Sequence, residues 1–225
     1  MSNFVINPYS FEGEAEPIAK DSQAYAVTSS NGDELTVDLT VADNPNRILI
    51  VTAGSYNLSP TVDSITYGSQ SLTQFNTQLQ QSDGRCDLWY LNDPAVGTDT
   101  TITVTWSDTV GRKGVGAICF YNTDGLNESS KNTETSNTSA TVEGNMTPTE
   151  DNSAIVDGML WLTGTEPSLT LTAGFAVNIS DPGGADRAIG MQYDLSPTKD
   201  ALNEMEYTSA EAAGYAWCGA EIKNG

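Results

Sequence analysis

The chain has 225 residues, with 30 Asp and Glu against 9 Lys and Arg and a formal net charge of −21. Its cations are scattered, with only Arg112 and Lys113 adjacent, which excludes binding of a nucleic-acid phosphate backbone as the main task. It has no histidine, which excludes Ser-His and Cys-His nucleophile pairs and the usual histidine-ligated zinc and iron sites. No run approaches the roughly 18 apolar residues that a membrane-spanning helix needs.

Residues 1–21 read as an extended N-terminal arm. Pro8 and Pro17 interrupt regular structure, and Glu12, Glu14 and Glu16 share one solvated side of an extended chain. The beginning is nevertheless apolar, with Phe4, Val5, Ile6, Tyr9 and Phe11. Such side chains cover the end of their own domain or dock on a partner, and we expect these five to be partner-binding. The same stretch lacks a cationic region, a long apolar core and a small-residue cleavage site, so it is not expected to be a signal peptide.

From residue 22 onward the apolar period is two. Leu35, Val37, Leu39 and Val41 alternate with Thr36, Asp38 and Thr40, which predicts a half-buried strand. Ile48, Leu49, Ile50 and Val51 form a continuous run, expected of a strand buried on both faces. Residues 62–75 read as a hairpin turning at Gly68, and residues 87–91 as the next strand. Ile102, Val104 and Trp106 then share one face of a strand, and residues 114–121 form an apolar strand with small side chains. Residues 122–153 change to Asn, Thr, Ser and Glu, and read as a long polar excursion with one edge strand over 139–142. Strand patterns resume at 153–163, 168–179, 188–195 and 215–222; only residues 198–213 have room for a short helix or turn. Ten or so strands without a long helix or fixed repeat predict one all-β domain over 22–225, an antiparallel β-sandwich.

The constellations that carry chemistry are sparse. Glycoside hydrolysis needs two carboxylates facing each other across a cleft, and no local motif nominates such a pair. The turns at 181–186 and at Asp83-Gly84 read as ordinary Asp-Gly turns rather than calcium loops. Residues 111–116 are glycine-rich but lack the strand-to-helix setting of a phosphate loop. No enzyme activity, metal or cofactor is expected. Three cysteines make a poor disulfide framework; Cys86 and Cys119 read as buried strand residues, assembled in a reducing cytoplasm. Trp89, Trp106, Trp161 and Trp217 all sit in strand patterns and are expected in the core. Tyr56, in a polar loop, is the ring most expected to be exposed and the candidate ligand-binding residue.

Five segments carry a resemblance. They are Arg47-Ile-Leu-Ile-Val, Val62-Asp-Ser-Ile-Thr-Tyr-Gly-Ser-Gln-Ser-Leu-Thr, Asp87-Leu-Trp-Tyr-Leu-Asn-Asp-Pro with Gly97, the stretch 100–106, and the stretch 117–125. Together they resemble a β-sandwich module of bacterial, archaeal and viral surface or virion proteins. Tyr215-Ala-Trp-Cys-Gly-Ala-Glu-Ile-Lys is similar to that module's last strand, and residues 1–11 look like the start of short structural proteins of tailed phages and viruses. The resemblance implies a jelly-roll-like fold and a virion structural protein, of the decoration or cement type, on the capsid exterior. Implied partners are the major capsid protein or another virion protein, and further copies of the chain in a homo-oligomer, with no nucleic acid and no membrane. It brings no catalytic residues. The alternative is a tail or fibre protein that recognises a host or binds carbohydrate; a secreted hydrolase ranks last.

Overall fold

The computed structural model describes residues 15–80, 83–97, 100–162, 168–169, 173–179 and 187–225. Among them there are fifteen strands and no helix, and all the strand pairs are antiparallel. The chain divides its strands between three sheets. A central sheet runs in the order β1 (Ala19–Thr28), β9 (Lys113–Tyr121), β3 (Ile48–Tyr56), β7 (Gly84–Asn92), β6 (Thr73–Gln80). A second runs β2 (Gly32–Asp38), β8 (Thr101–Val110), β4 (Val62–Tyr67), β5 (Gln70–Ser71). The third runs β10 (Thr123–Met146), β15 (Asn203–Asn224), β11 (Ala154–Trp161), β14 (Arg187–Asp194), β13 (Gly174–Ile179), with β12 (Ser168–Leu169) also on β15.

The central sheet is apolar on both faces because the other two pack on either side of it. Ile48 and Ile50 of β3 enter the core shared with the third sheet, together with Leu88, Ile118, Val156 and Leu160. Leu49, Val51 and Ala53, the alternate residues of the same strand, enter the core shared with the second sheet, together with Val104 and Trp106. The continuous apolar run of β3 is thus what a two-faced strand requires. Two glycines set the spacing of the main interface. A Cβ on Gly158 would land on Thr52, and one on Gly116 would meet Phe175 and Met191.

The third sheet departs furthest from expectation. The polar stretch predicted as an excursion with one short edge strand is a single 24-residue strand, β10, paired with β15 from Thr123–Asn224 to Met146–Asn203. The segment 198–213, assigned a short helix or turn, supplies the first half of β15 from Asn203 onward. This long two-stranded ribbon does not run straight. Asn132 Nδ2 donates to the carbonyl of Asn145 in the same strand, although a straight strand would hold residues thirteen apart about 43 Å from each other. Register shifts at Ser136/Ser139 and Ser139/Thr141 mark the bend, as bulges do. The ribbon curls so that its far half covers the outer face of the third sheet. Val142, Met146, Met205 and Tyr207 of that half pack there on Met159, Trp161 and Trp217. Gly144 and Gly219 give the Trp217 ring its room.

The strand expected over 168–179 is two elements, β12 and β13, and β1 begins inside the stretch read as arm. The five apolar arm residues, Phe4, Val5, Ile6, Tyr9 and Phe11, lie outside the described residues.

Candidate functional site

Charged side chains inside the protein are held in hydrogen-bond networks. Lys113 opens β9 at the corner where the chain passes from the second sheet to the central one, and it is 1% exposed. Its ammonium donates to the carbonyls of Ser30 (3.1 Å), Gly32 (2.9 Å) and Val110 (2.8 Å), tying the β1–β2 and β8–β9 turns together. Burial lowers its proton affinity, against the opposing pull of Asp33. Arg85 and Asp87, two apart on β7, form a buried bidentate pair at 2.5 and 2.8 Å, and Gln74 donates to the same carboxylate at 2.9 Å.

Glu221, near the end of β15, accepts from the backbone amides of Thr149 (2.9 Å) and Glu150 (3.1 Å) and from Asn127 Nδ2 (2.9 Å) and Thr149 Oγ1 (3.1 Å). Burial works to raise its proton affinity, but the amides of Glu150 and Thr149 and the hydroxyls of Ser153 and Thr149 outweigh burial and leave it below the ordinary value of 4.5. The stability from this network is therefore complete above the ordinary carboxylate range and is lost as pH falls through the lower folded-state value. We expect Glu221→Gln to lose about 1–3 kcal/mol at pH 7, where donors are left without their charged acceptor. The gap to the parent protein should narrow in acid; urea unfolding at pH 7 and pH 3 measures both.

One surface cleft gathers the residue types of a binding site. It lies at the end of the molecule where the turns β1–β2, β3–β4 and β8–β9 meet, has a volume of about 360 Å³, and is lined by Ser29, Asn31, Tyr56, Asn57, Gly111 and Arg112. Tyr56 ends β3, and its amide donates to the carbonyl of Arg112 at 3.1 Å. Asn57 follows with φ of 93° and Arg112 has φ of 51°, left-handed values that Asn tolerates better than Arg. The Arg112 guanidinium carbon stands 5.2 Å from the Tyr56 ring centroid and that of Arg187, at the start of β14, stands 4.6 Å away. Tyr56 is thus half-buried beside two guanidinium groups rather than the exposed ring expected from sequence. Sequence alone does not bring the two arginines to this ring, because they lie 56 and 131 residues further along the chain. Aromatic and cationic faces together suit a ligand that combines sugar-like faces with a negative group.

All three cysteines are free and buried. Burial pushes the Cys119 thiol up to about 12 and Cys218 well above its usual value, so neither is a thiolate nucleophile at neutral pH. Among the described residues no group of three or more Cys, Asp or Glu is placed to hold a metal ion; the turn at 181–186 lies outside them. Among the described residues no helix is long and apolar enough to cross a membrane. Comparison of the chain with protein-family models, curated proteins and solved structures finds no match.

Proposed function

We propose that this chain is a structural protein of a virus particle, a decoration or cement protein on the capsid exterior that binds the shell or neighbouring copies through its N-terminal arm. Assembly takes place in the host cytoplasm, without enzyme chemistry. The reading draws on the resemblance to jelly-roll-like virion modules and on how the arm joins the domain. Ile18 is 3% exposed and packs into the main core. The carbonyl of Pro17 accepts from Asn122 Nδ2 at 3.0 Å. Chain preceding this point is therefore anchored where it meets the all-β body, and it carries the apolar side chains of Phe4, Val5, Ile6, Tyr9 and Phe11. Left wet where burial was on offer, each would forgo roughly 1.5–3 kcal/mol.

Deletion of residues 1–12 tests this reading. The truncated protein should melt as the full chain does and fail to join particles that lack the protein. Equal binding by the truncated form would reduce the arm to a cover for its own domain. Counting copies in purified virions separates a coat component, present in hundreds, from a tail component, present in a few. High salt should weaken binding only modestly, since screening relieves the self-repulsion of a chain with net charge −21 as well as any attraction.

The Tyr56 cleft favours a second reading, recognition of a host or its carbohydrate from a tail or fibre. Loss of retention on an acidic-glycan column in Tyr56→Ala, with an unchanged melting midpoint, would support it.

A further inference from the structure

We propose that the Asp157 carboxyl is a proton-controlled pin on the curled β10–β15 ribbon, holding it closed most firmly in acid and less firmly toward neutral pH. Asp157 lies mid-way along β11 and is fully buried. Its Oδ1 accepts from the Tyr207 hydroxyl at 2.5 Å and the Gln192 backbone amide at 2.9 Å. Its Oδ2 accepts from the Trp217 indole at 2.7 Å and Gln192 Nε2 at 3.4 Å. Tyr207 and Trp217 belong to the same strand, ten residues apart, which is about 33 Å along a straight strand. Only the curl brings both to one carboxyl, so this group ties the far half of the ribbon to the near half and both to β11.

Among the described residues four donors reach this carboxyl, and no lysine or arginine does. The other titratable groups around it do not favour a negative charge. From β15 they are Tyr207 itself and, on the opposite face of the sheet, Cys218; from β7 beyond it, Cys86 and Asp87. The acids of the covering ribbon, Glu143 of β10 with Glu204 and Glu206 of β15, alternate with buried residues and remain at least partly in solvent. Gln192 of β14 and Trp217 add neutral donors. A buried carboxylate with no cation takes up its proton more readily, and burial here outweighs the four donors to raise Asp157 to about 7.

The site accepts that proton by one rearrangement, which turns the Tyr207 hydroxyl hydrogen away from the carboxyl. Tyr207 alone among the donors has a hydroxyl, which can rotate to accept from a protonated Oδ1 while the other three continue to donate. A carboxamide carries two hydrogens and would set one against either the Gln192 amide or the Trp217 indole. Because the closed ribbon holds the proton more tightly than an open one, the carboxyl's contribution is full below its ordinary value of 3.8. It is lost as pH rises through about 7 and is constant above that. The chain has no histidine, so the side chain that ordinarily titrates at about pH 6–7 is missing and this response is not masked.

Hydrogen exchange by NMR on the full chain, from pH 5.5 to 8.5, tests the pin. The reporters are the Trp217 indole N–H and the amides of Met205 and Tyr207, with the ¹³C-labelled Asp157 carboxyl followed in the same samples. Once intrinsic exchange rates are divided out, the open fraction should rise by up to about tenfold per pH unit below the carboxyl's midpoint and level off above it. Asp157→Asn should abolish that dependence. Trp217→Phe, which deletes a donor to the charged form, should move the midpoint to higher pH. A carboxyl signal that does not titrate in this range overturns the proposal. So does one that titrates while the reporters stay flat, or an unchanged slope in Asp157→Asn. The parent protein decides the matter alone if neither variant folds.

Discussion

Trp106→Ala is expected to lose about 3–5 kcal/mol of stability, the usual result of removing a buried indole. Trp106 is 2% exposed on β8 and shares its face with Ile102 and Val104, in the core between the second and central sheets. The Lys113 ammonium stands 5.8 Å from its ring centroid, so truncation also removes a face that the buried cation packs against. Domains are stable by about 5–15 kcal/mol in total. A loss of this size should lower the melting midpoint by on the order of 10 °C in a chain of this length. Calorimetry and retention on immobilised glycans should be run on the same variant. A surface sugar platform would give the reverse pattern, with unchanged melting and lost retention.

Lys113→Met should be nearly as damaging although it keeps most of the apolar stem. The ammonium is the shared donor to the carbonyls of Ser30, Gly32 and Val110. A buried acceptor left without a partner costs about 1–3 kcal/mol. With three affected and some relaxation at the turns, a loss of roughly 3 kcal/mol is expected in urea unfolding. A loss within about 0.5 kcal/mol, the range of ordinary surface substitutions, would mean that the corner holds without its cation.

The parts of the fold legible in the sequence are those where burial alone sets the pattern. β3 has no polar side chain between Ile48 and Val51 because both its faces are covered, and β8 alternates because its core-facing side carries Ile102, Val104 and Trp106. The ribbon was hidden for the opposite reason. Much of β10 keeps its side chains at or near the surface, so its run of Thr, Ser, Asn and Glu shows little apolar periodicity, and the pairing that makes it a strand comes from residues up to about a hundred positions away. The first half of β15, up to residue 213, reads as a short helix or turn for the same reason. Tyr56 could be picked out as a loop aromatic, but not the two arginines over it, since the turns that meet there belong to different sheets. Asp157 did leave a trace, as the one acid within the apolar run of β11. Its donors, gathered by the curl, did not.

The division of strands between the sheets also orders the birth of the fold. The central and second sheets are built entirely from residues 19–121, and the third entirely from residues 123–224. On a ribosome adding about 5–20 residues per second, the first two sheets are complete some 5–20 seconds before β15 has been made. Throughout that interval the uncovered face of the central sheet presents Ile48, Ile50, Phe75, Leu88, Ile118 and Phe120 to solvent. The nascent chain thus passes through a half-built stage with a broad sticky face, and β11 cannot close it alone because its partner β15 comes last. Recovery of folded protein from a cell should then depend on translation speed and chaperone supply as well as on the stability of the finished domain.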